Sequence, residues 1–115
     1  MANKTHDLVR KLIDRTNLGK LSWETTAEHG TYQASFPNHA VRLFTRRTLD
    51  GADVDYVLTL HGEDGEMVDE ITDIDLRDSG FENAYKQMGH LYNEARRKAM
   101  GVDNIIDGLL SELQD

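Results

Sequence analysis

Two pairs of aspartates have the spacing that a site for a hard cation could use. Asp53 and Asp55 are separated by one residue, and so are Asp73 and Asp75. In an extended segment both side chains of such a pair lie on one face, where their oxygens could hold Ca²⁺ or Mg²⁺. Neither pair has the regular acidic positions and glycine of an EF-hand loop, and the second pair alternates with apolar residues as in an edge strand or a strand-like connection. We therefore predict no metal site.

The other reactive side chains do not form a recognisable motif. The five histidines have no close zinc-ligand spacing, and the chain contains no cysteine that could complete such a site. Gly19-Lys20-Leu21-Ser22 is similar to the end of a phosphate-binding loop, but the upstream glycine is absent and a helix is predicted where that loop needs a strand. No nucleophile elbow is present. We predict no catalytic residue and no cofactor, and we keep an uncharacterised enzyme or metal-binding protein as an alternative.

Residues 61–78, HGEDGEMVDEITDIDLRD, contain eight carboxylates and one arginine. Charged side chains at a sheet edge discourage the addition of another strand, so this segment predicts a solvated acidic surface. A second interpretation is that the carboxylates imitate nucleic-acid phosphates, which would make the chain an inhibitor of a nucleic-acid-binding or defence protein. The residues that we assign to the acidic surface are Asp69, Glu70, Asp73 and Asp75.

The net charge of -8 is unevenly distributed along the chain. Residues 1–49 contain eight cations and four carboxylates, whereas residues 50–82 contain one cation and twelve carboxylates. Because a duplex repels a polyanion, the total charge disfavours direct nucleic-acid binding. Complementary basic and acidic regions on one small body favour docking to a protein or self-association.

Residues 40–47, AVRLFTRR, alternate as a strand. If Val41, Leu43 and Thr45 face the helices, then two arginines and a phenylalanine share the opposite face. An aromatic ring between two arginines can stack and can pair with anions. The alternative is that the arginines pair with acids across the sheet, which adds only about 0.2 to 1 kcal/mol for each pair. The predicted partner-binding residues on this face and the neighbouring strands are Arg42, Phe44, Arg46, Gln33, Thr59 and His61.

These residues must be positioned by a helix and five strands. Apolar residues at helical spacing predict a helix over residues 4–18, with Asn3 or Thr5 as its cap and Gly19 as its end. Alternating segments predict strands within 21–26, 31–36, 40–47, 55–62 and 66–72. The Asp64-Gly65 pair between the last two is a strong hairpin signal.

Two further helices close the chain. Ser79 and Glu82 have the spacing of a capping box, and an apolar stripe then continues to Gly101. A second stripe begins near Asp103. The residues of that stripe are Val102, Ile105, Ile106, Leu109, Leu110 and Leu113. The sequence thus predicts one α+β domain over residues 1–115, with an N-terminal helix, a five-stranded antiparallel meander and two C-terminal helices packed on one sheet face.

Several segments resemble a group of small stand-alone bacterial proteins. They are GKLSWETT after an amphipathic helix, TYQASF, the EDGE hairpin, and NEARRKAMGVDNIIDGLL in the closing helices. The resemblance implies the same architecture, and it implies no activity and no site.

Composition sets the remaining expectations. Hydrophobic residues make up 38 % of the chain and charged residues 30 %, which is typical of a folded domain. The lack of cysteine favours a reducing compartment, and no segment has the apolar length of a signal peptide or a membrane span. We therefore expect a non-enzymatic cytoplasmic protein-interaction module. A regulatory role and self-association into a homodimer are the simplest expectations for such a module. We expect no membrane association. The last helix offers a further apolar face for binding if the core does not cover it.

Overall fold

The computed structural model describes residues 3–114, which begin with the predicted N-terminal helix. Helix α1 spans Lys4–Asn17. The side chain of Asn3 accepts a hydrogen bond from the backbone N–H of His6 at 3.1 Å, so Asn3 is the cap. Gly19 follows the helix with φ of 72°, the left-handed conformation that ends many helices. Both signals at the ends of this helix are therefore confirmed.

The five strands form one antiparallel sheet in the order β1-β2-β3-β4-β5. Gly65, in the turn between the last two strands, has φ of 83°, which suits the predicted hairpin. The meander is thus confirmed. The strands are β1 Trp23–Thr25, β2 Tyr32–Ser35, β3 Ala40–Arg47, β4 Val54–His61 and β5 Met67–Thr72.

Three helices follow the sheet: α2 Asp73–Asp78, α3 Ala84–Ala99 and α4 Val102–Glu112. Helix α2 was not predicted from the sequence, and the interpretation of residues 73–76 as an edge or strand-like connection was wrong. Thr72 and Asp75 form a capping box that starts this helix. The predicted capping box at Ser79 was also wrong, because Ser79 ends α2 and α3 begins only after Asn83.

The core lies between one face of the sheet and the helices. Tyr32, Leu43, Leu58 and Ile71 are aligned across four strands and all are buried. Helix α1 is attached by a buried hydrogen bond of 3.0 Å between the side chains of Trp23 and Thr16. Helix α3 packs closely, because a Cβ atom on Gly89 would lie 3.1 Å from the Tyr56 hydroxyl. The α+β class, with helices on one face of an antiparallel sheet, is confirmed.

Helix α4 stands apart from this core. It contacts chiefly α3, and none of its residues is buried. The Cα radius of gyration is 15.6 Å, compared with about 13 Å for a compact domain of this length. The molecule measures 57 × 37 × 28 Å, so it is elongated. Within residues 3–114, no helix has both the length and the apolar character needed to cross a bilayer.

Candidate functional site

The predicted partner-binding residues of β3 lie on the sheet face opposite the helices, which we call the open face. Val41 and Leu43 are buried on the helix side, Arg42 and Phe44 are half-buried on the open face, and Arg46 is exposed. The period of two in the strand pattern therefore predicted the two faces correctly.

Both arginines of the open face have partners within the sheet. Arg42 donates from Nε to Gln33 Oε1 at 2.8 Å. Arg46 donates to both carboxylate oxygens of Glu70, at 2.7 and 3.2 Å. The hydrogen bond from Arg46 holds the pKa of Glu70 below its usual value. The alternative of arginines paired with acids across the sheet therefore holds for Arg46, whereas the partner of Arg42 is an amide.

Thr59 and His61 also form hydrogen bonds within the sheet and its turn. Thr59 is only 3 % exposed, so its assignment to an accessible binding surface was wrong. His61 Nδ1 lies 3.1 Å from the carbonyl oxygen of Gly65, which can only accept, and its Nε2 lies 2.8 Å from Thr59 Oγ1. In the neutral ring Nδ1 therefore donates and Nε2 accepts the hydroxyl proton. His61 thus connects β4 to the turn that follows it.

Phe44 has a structural role as well. It is the cross-strand partner of Val57, which faces away from the helices and yet is completely buried. The Arg46 guanidinium lies 5.9 Å from the centre of the Phe44 ring. Phe44 and its neighbours therefore cover a small apolar layer on the open face, and a substitution at Phe44 affects the fold in addition to any surface function.

Two of the four predicted acidic-surface residues satisfy backbone groups of β5, the strand at one edge of the sheet. Asp69 Oδ1 accepts the N–H of Glu70 at 2.8 Å. Asp75 Oδ2 accepts the N–H of Thr72 at 3.1 Å. Side-chain carboxylates thus accept hydrogen bonds from backbone N–H groups of the edge strand, with which another strand could otherwise pair.

Asp73 does not belong to the exposed acidic surface, and its assignment there was wrong. It is only 6 % exposed, and its Oδ1 accepts the N–H of Tyr56 at 2.8 Å. Burial raises the pKa of the Asp73 carboxyl, and the hydrogen bond opposes this shift. The alternation of residues 73–76 concealed this burial, because in a short helix it places Asp73 and Leu76 against the core.

The other aspartate pair lies at the start of β4. Asp53 Oδ1 accepts a hydrogen bond of 3.1 Å from the Tyr85 hydroxyl, and Asp53 and Asp55 border an open depression beside Ile74. Among residues 3–114, no three histidine or acidic side chains converge as ligands for one ion.

The largest exposed apolar feature is α4. Five of its residues, or residues at its C-terminal end, are between 43 % and 77 % exposed. They are Ile105, Ile106, Leu109, Leu110 and Leu113. An apolar stripe of this kind normally faces a core. The stripe was predicted from the sequence, whereas its exposure depends on how the core packs.

The polar side of α4 is acidic. Its charged residues are Asp103, Asp107 and Glu112, and no cation lies in its last turn. Arg97 at the end of α3 pairs with Asp103 at 2.9 Å. The apolar stripe is therefore accompanied by negative charge, with cations only at the α3 end.

Comparison with protein-family models, with curated proteins and with solved structures found no match for this chain, so its site is interpreted from its own geometry.

Proposed function

We propose that this chain is a protein-interaction module and that α4 is its docking element. The observation that carries the proposal is an 11-residue helix with a continuous apolar face and no buried residue. Isolated helices shorter than about 12 to 15 residues are marginally stable in water, and most helices in proteins depend on packing of their apolar face. The chain supplies little such packing to α4, so a partner is the natural source of it.

The free energy available from covering this face is sufficient for binding. Complete burial of a large aliphatic side chain is worth about 1.5 to 3 kcal/mol. Five side chains that are about half exposed would therefore contribute about 4 to 8 kcal/mol when covered. Contiguous exposed apolar surface on a folded protein commonly marks such an interface.

The charges on α4 indicate the chemistry of a suitable partner. Acidic residues accompany the stripe, so a complementary surface is apolar at its centre and has lysine or arginine beside it. Recognition of this type places the apolar face of an amphipathic helix into a groove.

The open face is a second, smaller surface of the same module. Arg42 and Phe44 are partly exposed there, and the Arg46 guanidinium lies over the Phe44 ring, so an aromatic ring and two cations are accessible together. Their internal hydrogen bonds would have to be kept or exchanged on binding, which makes this surface less favourable than α4.

The remaining parts of the proposal come from the sequence. We place the module in the cytoplasm because the chain has no cysteine, and we propose that its binding is regulatory. Imitation of a nucleic acid is not adopted, since Asp69, Glu70, Asp73 and Asp75 all have partners within the fold.

Affinity capture tests the proposal. A tagged chain is expressed in the cells that encode it, beside the variant Ile106→Glu/Leu110→Glu and the control Leu49→Glu, which alters a fully exposed leucine in the β3–β4 turn. We expect the wild type and the control to retain a protein in stoichiometric amount, either another protein or an untagged second copy. The α4 variant should lose at least about 30-fold in affinity, as expected when a hot spot worth 2 kcal/mol is removed.

An Arg42→Ala variant completes the design, and circular dichroism checks that each variant is folded. Equal capture by the wild type and the α4 variant would contradict the proposal. Loss of the partner with Arg42→Ala, together with its retention by the α4 variant, would place docking on the open face instead.

A further inference from the structure

We infer that a second copy of this chain covers α4, with the two α4 helices side by side and antiparallel. The inference rests on the proposed function, because it takes α4 as the docking element. It goes further by naming the partner and the orientation. Three features of α4 support it: the spacing of its apolar residues, the distribution of charge along it, and the area that it offers.

The apolar positions of α4 match one another when the helix is reversed. Reversal about the midpoint between residues 107 and 108 exchanges Val102 with Leu113, Ile105 with Leu110, and Ile106 with Leu109. Each aliphatic residue therefore meets an aliphatic residue when the helix lies against a reversed copy of itself. A symmetric dimer needs this self-complementarity, because both copies contribute the same patch.

The charges favour the antiparallel orientation over the parallel one. The end of α3 that leads into α4 contains Arg96, Arg97 and Lys98, whereas α4 itself has carboxylates and no cation. An antiparallel pair brings Glu112 of the second copy to the end where these cations lie. The same reversal places Glu112 opposite Asp103, which already pairs with Arg97 at 2.9 Å, so a cation lies beside these two carboxylates. A parallel pair would instead place Glu112 beside Glu112 in a last turn that has no basic residue, which is unfavourable.

The helix dipole of α4 also favours the antiparallel orientation. The last turn of α4 has no basic residue to balance its partial negative charge. In the antiparallel pair, the basic end of α3 of the second copy lies near this turn. The dimer thus supplies a charge that the single chain lacks.

The area predicts a weak dimer. Eleven residues make a helix about 16 Å long, and paired helices lie about 8 to 10 Å apart. The contact is small beside the roughly 1,600 Å² of a standard interface, so dissociation on dilution is expected, with a dissociation constant on the order of 10 µM.

Sedimentation equilibrium measures the association. We expect the average mass of the wild type and of Leu49→Glu to rise from monomer toward dimer across the micromolar range. Ile106→Glu should remain monomeric over the same range. A wild type that is monomeric throughout would overturn the inference, and the proposed function would still stand if capture of another protein depends on α4.

Cysteine cross-linking tests the orientation, because the chain has no cysteine of its own. A mixture of Val102→Cys and Leu113→Cys should form a disulfide between the two variants under mild oxidation, and neither variant should cross-link efficiently alone. The pair Ile106→Cys and Leu109→Cys repeats the test at the centre of the helix. Efficient cross-linking of Leu113→Cys with itself, or of no variant at concentrations where the chain sediments as a dimer, would overturn the antiparallel arrangement.

Discussion

At the scale of single residues, similar acidic side chains have different structural roles. Asp69 and Asp75 accept backbone N–H groups at the sheet edge, Glu70 pairs with Arg46, and Asp73 is buried under the sheet. The sequence indicated that carboxylates would protect an edge. It could not indicate which of them would be buried, because burial depends on a helix that was not predicted.

The buried Asp73 should make stability depend on pH. Burial raises the pKa of Asp73 in the folded protein above the ordinary value of 3.8. The folded state therefore favours the protonated carboxyl, and this contribution to stability is complete below that ordinary value and is lost as the pH rises through the raised pKa. Asp73→Asn stays neutral and keeps an oxygen for the N–H of Tyr56. Relative to the wild type, it should become more stable as the pH rises from acid to neutral.

Urea unfolding of both proteins at a series of pH values measures this difference. If the amide group changes the free energy of unfolding by the same amount at every pH, the difference between the two proteins is shifted but its dependence on pH is unchanged. If the difference in the free energy of unfolding is independent of pH, or falls as the pH rises, the hydrogen bond from Tyr56 balances or outweighs burial and our assignment is incorrect.

At the scale of elements, the longer helices and the strands could be predicted from the sequence. Their apolar pattern extends over enough residues to distinguish the helical period of 3.6 residues from the strand period of 2 residues. Helix α2 has only six residues and follows a strand directly, so its pattern was mistaken for a continuation of extended structure. The capping box of Thr72 and Asp75 was the available signal, and Ser79 and Glu82 offer a similar spacing that starts no helix.

The capping box gives a prediction for this element. Thr72→Ala removes the side-chain oxygen that accepts the N–H of Asp75 at 3.0 Å. We expect a loss of about 1 kcal/mol in the free energy of unfolding. Thr45→Ala, at an exposed position on β3, should change it by less than about 0.5 kcal/mol. Equal losses in the two variants, measured by urea unfolding, would mean that the cap does not stabilise α2.

Helix α4 shows a different limit of sequence reasoning. Its amphipathic pattern predicted a helix correctly, but the same pattern arises whether the apolar face packs on its own chain or on another. The open face had a similar difficulty. The pattern of β3 indicated the facing of Arg42 and Arg46. Their partners depend on strand register and on rotamers, since Gln33 lies on the adjacent strand β2 and Glu70 lies two strands away on β5.

At the scale of the whole molecule, the fold is a compact α+β body with one projecting helix. The body buries a core between the sheet and α1, α2 and α3, and its architecture followed from the order of the elements. The molecule is 57 Å in its longest dimension, and α4 contacts chiefly α3. We assign the apolar face of α4 to binding, because packing within the chain leaves it exposed.

Amide hydrogen exchange of dilute, monomeric protein, followed by mass spectrometry, tests this claim most directly. If α4 depends on a partner, its amides should exchange almost as fast as those of an unstructured chain, while those of α3 stay protected by the core. At concentrations where a partner is bound, protection should appear across residues 102–112. Protection of α4 equal to that of α3 in the dilute monomer would contradict the account, because the helix would then be stable without any partner.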